Sequence, residues 1–213
     1  MTSTAKIALL IPPILAALTV HEYAHGLAAW RLGDPTARRA GRLTLNPLAH
    51  LDPIGTLMLF LFYFGWARPV PVNPSYFRNP RRDMIWVALA GPGANIILAM
   101  VLGAVLQFLL KNGIIATFGV AYLMLGFTIF INLMLAFFNL IPIPPLDGSK
   151  VVGGLLPQEY LAWWESFERV GFLVLIGLIL LGRFTGISLF GSTILPLSNA
   201  LYRMFTGGAP LFF

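Results

Sequence analysis

Three side chains within five positions carry the clearest chemistry in this chain. His21, Glu22 and His25 stand in the stretch "TVHEYAHGLAAW", residues 19–30. Histidines four apart fall on one face of a helix, one turn from each other. Both imidazoles can therefore reach a single metal ion, with Glu22 beside them as a base for a water that the ion activates. The surrounding residues are apolar. A carboxylate at the centre of a membrane helix costs about 2.5–3.5 kcal/mol on insertion scales, so ionisable groups in such a place mark function. The plainer alternative is a polar helix face lining a bundle; the apolar context favours the metal.

A catalytic zinc site takes three protein ligands and keeps its fourth position for water. The chain has no cysteine, so the third ligand is His50 or a carboxylate. There are only eight acidic residues. Asp34 and Asp83 lie among arginines and are expected to be solvated partners. Glu159, Glu165 and Glu168 cluster near tryptophans, as at a membrane interface. His50 and Asp52 in "AHLDP", Glu22 itself, and Asp147 in "NLIPIPPLDGSK" remain. Asp147 is the best placed. It follows a long apolar helix, Pro142, Pro144 and Pro145 interrupt helical pairing before it, and Gly148 permits a sharp turn that aims the carboxylate inward. The alternative there is a proline-rich exit loop whose aspartate caps the next helix. His50 is expected either to support the site from behind or to be an ordinary loop residue, rather than to bind the ion.

The elements that must position these groups are those of a polytopic membrane protein. Of 213 residues, 58% are hydrophobic and 10% charged, against about 45–50% and about 25% in soluble domains. The net charge of +6 sits mostly in arginine-rich loops, which reads as cytoplasmic flanks near anionic lipid rather than as a nucleic-acid surface. The apolar start shows no clear cleavage site and reads as a retained first helix. Ile7–Trp30, Ile85–Leu110 and Ile114–Ile141 are long enough to cross the bilayer. Val170–Leu181 is short unless Trp163, Trp164 and Phe167 extend it, and Ile187–Phe205 is a weaker candidate, interrupted by Pro196 and Asn199.

Leu51–Trp66 is about a turn short of a span and has arginines on both sides: Arg31, Arg38, Arg39 and Arg42 before it, Arg68, Arg78, Arg81 and Arg82 after it. A hairpin that dips in and returns keeps all eight on one side, as the positive-inside bias requires. Flanking it, "GRLTLN" alternates polar and apolar residues as a strand does, and "RPVPVNP" suits an edge strand. The expected fold is all-α: a single domain over 1–213, with about five to six transmembrane segments, a re-entrant hairpin and a small membrane-associated β-sheet. Its catalytic core would cover about 7–156 and its C-terminal helices about 160–206.

Three ordered motifs then carry a family resemblance: "HEYAH" on the first helix, "AGPGAN" (Gly91 to Asn95) on the next long one, and "NLIPIPPLDG" (Asn139 to Gly148) after the third. Together they resemble the site-2 protease family of intramembrane zinc metalloproteases, in its minimal form without PDZ or CBS domains. The last motif matches the family's N-x-x-P…D-G pattern with Asn139, Pro142, Asp147 and Gly148. The resemblance implies one Zn²⁺ held by His21, His25 and Asp147, with Glu22 catalytic, in a multi-pass protein of a prokaryotic plasma membrane whose basic loops face the cytoplasm. It implies hydrolysis of peptide bonds within or next to transmembrane segments, with membrane proteins as substrates and lipid around the helices. Asn139 is expected to help hold the oxyanion, or else to end its helix. In "AGPGAN" the small residues allow close helix packing, and Asn95 either bonds a neighbouring helix or belongs to the site. The competing readings are a non-catalytic chaperone of transmembrane segments and a metal carrier. Neither needs a glutamate placed between two ligands.

Overall fold

The computed structural model describes residues 3–55, 58, 67–185, 188 and 190–211. Among the described residues the α-helices with full bounds run in chain order: α1 (Ser3–Arg31), the short α2 (Thr36–Arg39), α3 (Pro80–Lys111), α4 (Val120–Asn139), α5 (Asp147–Leu155), α6 (Leu161–Thr185) and α7 (Leu195–Thr206). Single 3₁₀ turns stand at Pro47–His50, Pro74–Tyr76 and Gln158–Tyr160, and a π turn at Phe190–Ile194 leads into α7.

The long helices form where the sequence is a continuous apolar run, and α3 and α4 are long and apolar enough to cross a membrane. At 1.5 Å per residue, the 20 residues of α4 reach about 30 Å, the thickness of the hydrocarbon layer. Their outward faces suit lipid. Ile97, Met100, Val101, Val105 and Phe108 of α3 are exposed, as are Phe172, Leu173, Leu180, Leu181 and Phe184 of α6, large apolar side chains of the kind that face lipid.

The centre of the bundle is α3. It packs on α1, α4, α5 and α7, while α1 also packs on α4. A buried cluster of Ala99, Leu106, Tyr122, Ile129, Phe130, Leu133 and Tyr202 joins α3, α4 and α7 at the end away from the histidines. A second cluster of Ala29, Phe77 and Val87 joins α1 to the start of α3. The expected tryptophan-led segment is a full 25-residue helix, α6, with Trp163 and Trp164 inside it. In the last apolar segment the described residues carry the π turn Phe190–Ile194 and then α7. Pro196 sits in the first turn of α7, and the helix runs for 12 residues, about 18 Å, too short to span alone.

The expected small β-sheet is not found: among the described residues there is no strand, only one isolated antiparallel bridge between Leu51 and Ala67. Local bonding explains the misreading. In "GRLTLN" the Asn46 N–H donates to Thr44 Oγ1, and the Asn46 side chain accepts from Leu48 N–H to cap the turn that follows. Such side-chain bonds satisfy the backbone locally and compete with a ladder. In "RPVPVNP" the prolines at 69 and 71 have no N–H to offer. Of the N–H groups that remain, Val70 donates to Glu22 Oε2 at 2.9 Å and Asn73 to Asp34 Oδ2 at 2.7 Å, away from any ladder, while Arg68 donates to the His50 carbonyl at 2.9 Å beside the lone bridge. Most of the predicted re-entrant hairpin, Leu51–Trp66, lies outside the described residues. Its flanks do not, and they meet at the Leu51–Ala67 bridge.

Candidate metal centre

His21 and His25 lie on one face of α1, and Asp147 is the first residue of α5. The three converge. His21 Nε2 is 3.0 Å from His25 Nε2, and Asp147 Oδ2 is 3.1 Å from the first and 3.2 Å from the second. They are the one group of metal-ligating type that closes to this degree among the described residues. Three donors about 2.0–2.1 Å from one tetrahedral ion would stand about 3.3 Å apart, so the triangle fits zinc.

The hydrogen-bond directions make the fit specific. His21 Nδ1 is 2.7 Å from Asn95 Oδ1, and His25 Nδ1 is 2.7 Å from the Val87 carbonyl oxygen. Both partners only accept, so both Nδ1 atoms carry the proton and donate it. In the neutral imidazole the Nε2 atom is then a bare lone pair. Two such lone pairs and a carboxylate oxygen facing one another at about 3 Å repel unless a cation lies among them. Asp147 Oδ2 is buried with no hydrogen-bond donor of its own. That is the arrangement a metal ion satisfies, and a proton between one pair leaves the third group unmatched.

The second long helix, α3, is what allows the imidazoles to sit there. A Cβ added at Gly91 would stand 2.4 Å from His25 Nε2 and 2.7 Å from His21 Cε1. Gly91 is thus bare backbone against the two rings, and Asn95, one turn on, reaches His21. The "AGPGAN" stretch does more than pack helices.

Asp147 reaches the site through the proline-rich turn, as expected, but the role of Gly148 differs. It lies in the helix, and its need for smallness comes from a close approach: an added Cβ would fall 2.3 Å from the Leu140 carbonyl oxygen. Asp147 makes no side-chain cap to its own helix. Its position in the first turn places the carboxylate at the positive end of the helix dipole. At the other end of α5, Arg81 of α3 donates to the carbonyls of Gly153, Gly154 and Leu156, which ties that helix down.

Glu22 is buried, with Oε2 held by Val70 N–H at 2.9 Å, which leaves Oε1 as its available oxygen. His50 is buried at the end of the 3₁₀ turn Pro47–His50 and donates from Nε2 to the Thr44 carbonyl at 2.8 Å; it is outside the donor triangle. Asp52 is likewise outside it, its Oδ1 accepting from Gly55 N–H. Asn139 ends α4 and donates from Nδ2 to Leu135 O within its own helix at 3.0 Å. Asp34 is a correction: it is fully buried, not solvated, and accepts from Thr36 N–H and Oγ1 and from Asn73 N–H. Asn132 was missed. A lone amide inside the apolar run "IFINLM" is the kind of signal that marks an intramembrane site, and here it bonds Asn95 at 2.6 Å.

The family model described as peptidase family M50 matches residues 111–182. A protein of Bacillus subtilis named as a zinc metalloprotease, YwhC, is 42% identical over 171 residues, covering 78% of each chain. A Mycobacterium tuberculosis protein named as a zinc metalloprotease, Rip2, is 33% identical over 207 residues, covering 92% of this chain and 76% of its own. One from Methanocaldococcus jannaschii, MJ0611, is 44% identical over 66 residues, 31% of each. No solved structure matches this chain.

Proposed function

The chain belongs to peptidase family M50, the site-2 protease family, and is a zinc metallopeptidase; from that premise we propose that it hydrolyses peptide bonds within or next to transmembrane segments of membrane proteins. The observation that carries this reading is the convergence of His21, His25 and Asp147 on one point, beside a buried glutamate, between helices whose outer surfaces are apolar. These three residues would hold the ion. When bound, zinc supplies Lewis acidity and lowers the pKa of a water towards about 7.

The chain's own groups do the rest. The two Nδ1–H donors, to Asn95 and Val87, keep both Nε2 lone pairs aimed at the ion. Glu22 takes the proton of the attacking water at Oε1 and returns it to the leaving amine, while Val70 N–H restrains Oε2. Asn139 stands at the end of α4 with one amide donor used by Leu135 and the other available to a developing oxyanion. The scissile segment must leave its helix first, because an intact helix covers each peptide group with its own hydrogen bonds. The meeting of Leu51 and Ala67 supports a hairpin that returns to the face it left. On that reading the arginine-rich loops share the cytoplasmic side of a multi-pass plasma-membrane protein.

The test uses wild type and Glu22→Gln purified in detergent, assayed for bound zinc and against a panel of single-span substrates. Zinc in both proteins, with cleavage by the wild type alone, is expected. Equal cleavage by the two removes Glu22 as the base, and cleavage confined to soluble peptides removes the transmembrane substrate.

A further inference from the structure

We propose that Asn95 and Asn132 are positioning residues of the metal centre, forming a buried amide relay that dictates which nitrogen of His21 faces the ion. This rests on the zinc site described above and concerns how that site is kept ready for metal.

The relay begins at a group that cannot rotate. Asn132 Nδ2 donates to the Thr128 carbonyl one turn earlier in α4, at 2.7 Å. That turns Asn132 Oδ1 towards α3, where it accepts from Asn95 Nδ2 at 2.6 Å. The same Asn95 nitrogen donates its second hydrogen to the Ala17 carbonyl of α1 at 3.0 Å. With its nitrogen committed to two oxygens, Asn95 presents Oδ1 to His21 Nδ1 at 2.7 Å. An amide oxygen only accepts, so Nδ1 must carry the proton and Nε2 the lone pair. Rotating the Asn95 amide by half a turn would set oxygen against oxygen at Ala17 and Asn132, and N–H against N–H at His21. Both asparagines are fully buried, so each mismatch would cost an unsatisfied polar group in a dry interior.

The two histidines solve the same problem differently. His25 donates to a backbone carbonyl, Val87, whose orientation is set by α3 itself. His21 faces a side-chain amide, which can present either end, and so needs something behind it. Asn132 is that support, although it makes no hydrogen bond to a metal ligand.

A merely structural role for the pair, as polar glue among α1, α3 and α4, makes a different prediction, and the substitutions separate the two. Asn95→Asp retains an acceptor for His21 Nδ1 and loses both donors; Asn95→Leu loses all. The readout is zinc affinity, from competition with a chromophoric chelator on purified protein in detergent, with thermal unfolding of the metal-free form followed in parallel. The relay predicts Asn95→Asp within a few-fold of wild type and Asn95→Leu weaker by about 10–100-fold. Glue predicts the reverse order, because the buried unpaired carboxylate harms the fold more than leucine does. Asn132→Leu is the second variant: it should fold, bind zinc about 10-fold more weakly, and show His21 in mixed tautomers by imidazole ¹⁵N shifts. A folded Asn132→Leu protein with wild-type zinc affinity and His21 still protonated only at Nδ1 overturns the proposal. A wild type that binds no zinc overturns the metal site itself.

Discussion

At the scale of single residues, the centre depends as much on an absent side chain as on those present. His21 and His25 sit against the bare backbone of Gly91, and no smaller residue exists to take its place. Gly91→Ala adds one methyl group 2.4 Å from His25 Nε2, closer than a Cβ stands to a non-bonded atom. The α3 backbone behind that methyl is fixed by packing on four other helices, so the imidazole must move. The expected outcome is a protein that folds and binds zinc at least about 10-fold more weakly, measured by chelator competition. Wild-type affinity in this variant would mean that α3 yields instead. The histidine pair itself was legible in the sequence because its geometry is local: four residues of helix bring the two rings together whatever else the chain does. Gly91 and Asn95 were visible as small and polar residues, but their purpose was not, since it lies in the distance between α1 and α3.

At the scale of elements, α5 is the part that must be delivered. It is a nine-residue helix, too short to hold itself together in isolation, and it carries Asp147, the third ligand of the proposed centre. Its start is packed by the Gly148 approach to Leu140, and its last carbonyls are bonded by Arg81. Lys150 on its side pairs with Glu168 of α6 at 2.9 Å. Replacing Arg81 by methionine keeps most of the stem and removes the donors. Amide hydrogen exchange over residues 151–156 is then expected to speed up about five-fold or more, with α3 and α4 unaffected. Unchanged exchange there would show that packing alone docks α5. The elements were read well where length and apolarity decide, as in α3 and α4. They were misread around Leu43–Asn46, where a period of two occurs without a strand because Thr44 and Asn46 bond the local backbone. Asp34 was misread for a related reason: arginines nearby in sequence say nothing about a side chain that folds inward to bond Thr36 and Asn73.

For the whole molecule, a metal held as proposed would be a cross-link between segments far apart in the chain. Without it, two lone pairs from α1 and a carboxylate from α5 face one another at about 3 Å. Chelating the ion is therefore expected to lower the thermal midpoint and to loosen α5 and α6 before the α3–α4–α7 cluster. Restoring zinc to about 100 times its dissociation constant should return about 2.7 kcal/mol. A midpoint indifferent to chelator and to added zinc would mean that the helices hold the triangle without help. The same protein in lipid keeps its exposed apolar faces on α3 and α6 covered, so the measurement belongs in bicelles or mild detergent.

By itself the sequence determined the chemistry on offer: two imidazoles and a glutamate on one helical turn, few acids to complete the set, and a chain too apolar for water. Those properties are local or compositional, and no tertiary contact is needed to read them. Only the folded molecule decided which carboxylate arrives, why a glycine must face the rings, and how two buried amides orient His21. Each of these depends on how closely helices that the chain order leaves far apart approach one another, and that approach is set by tertiary packing and hydrogen bonding.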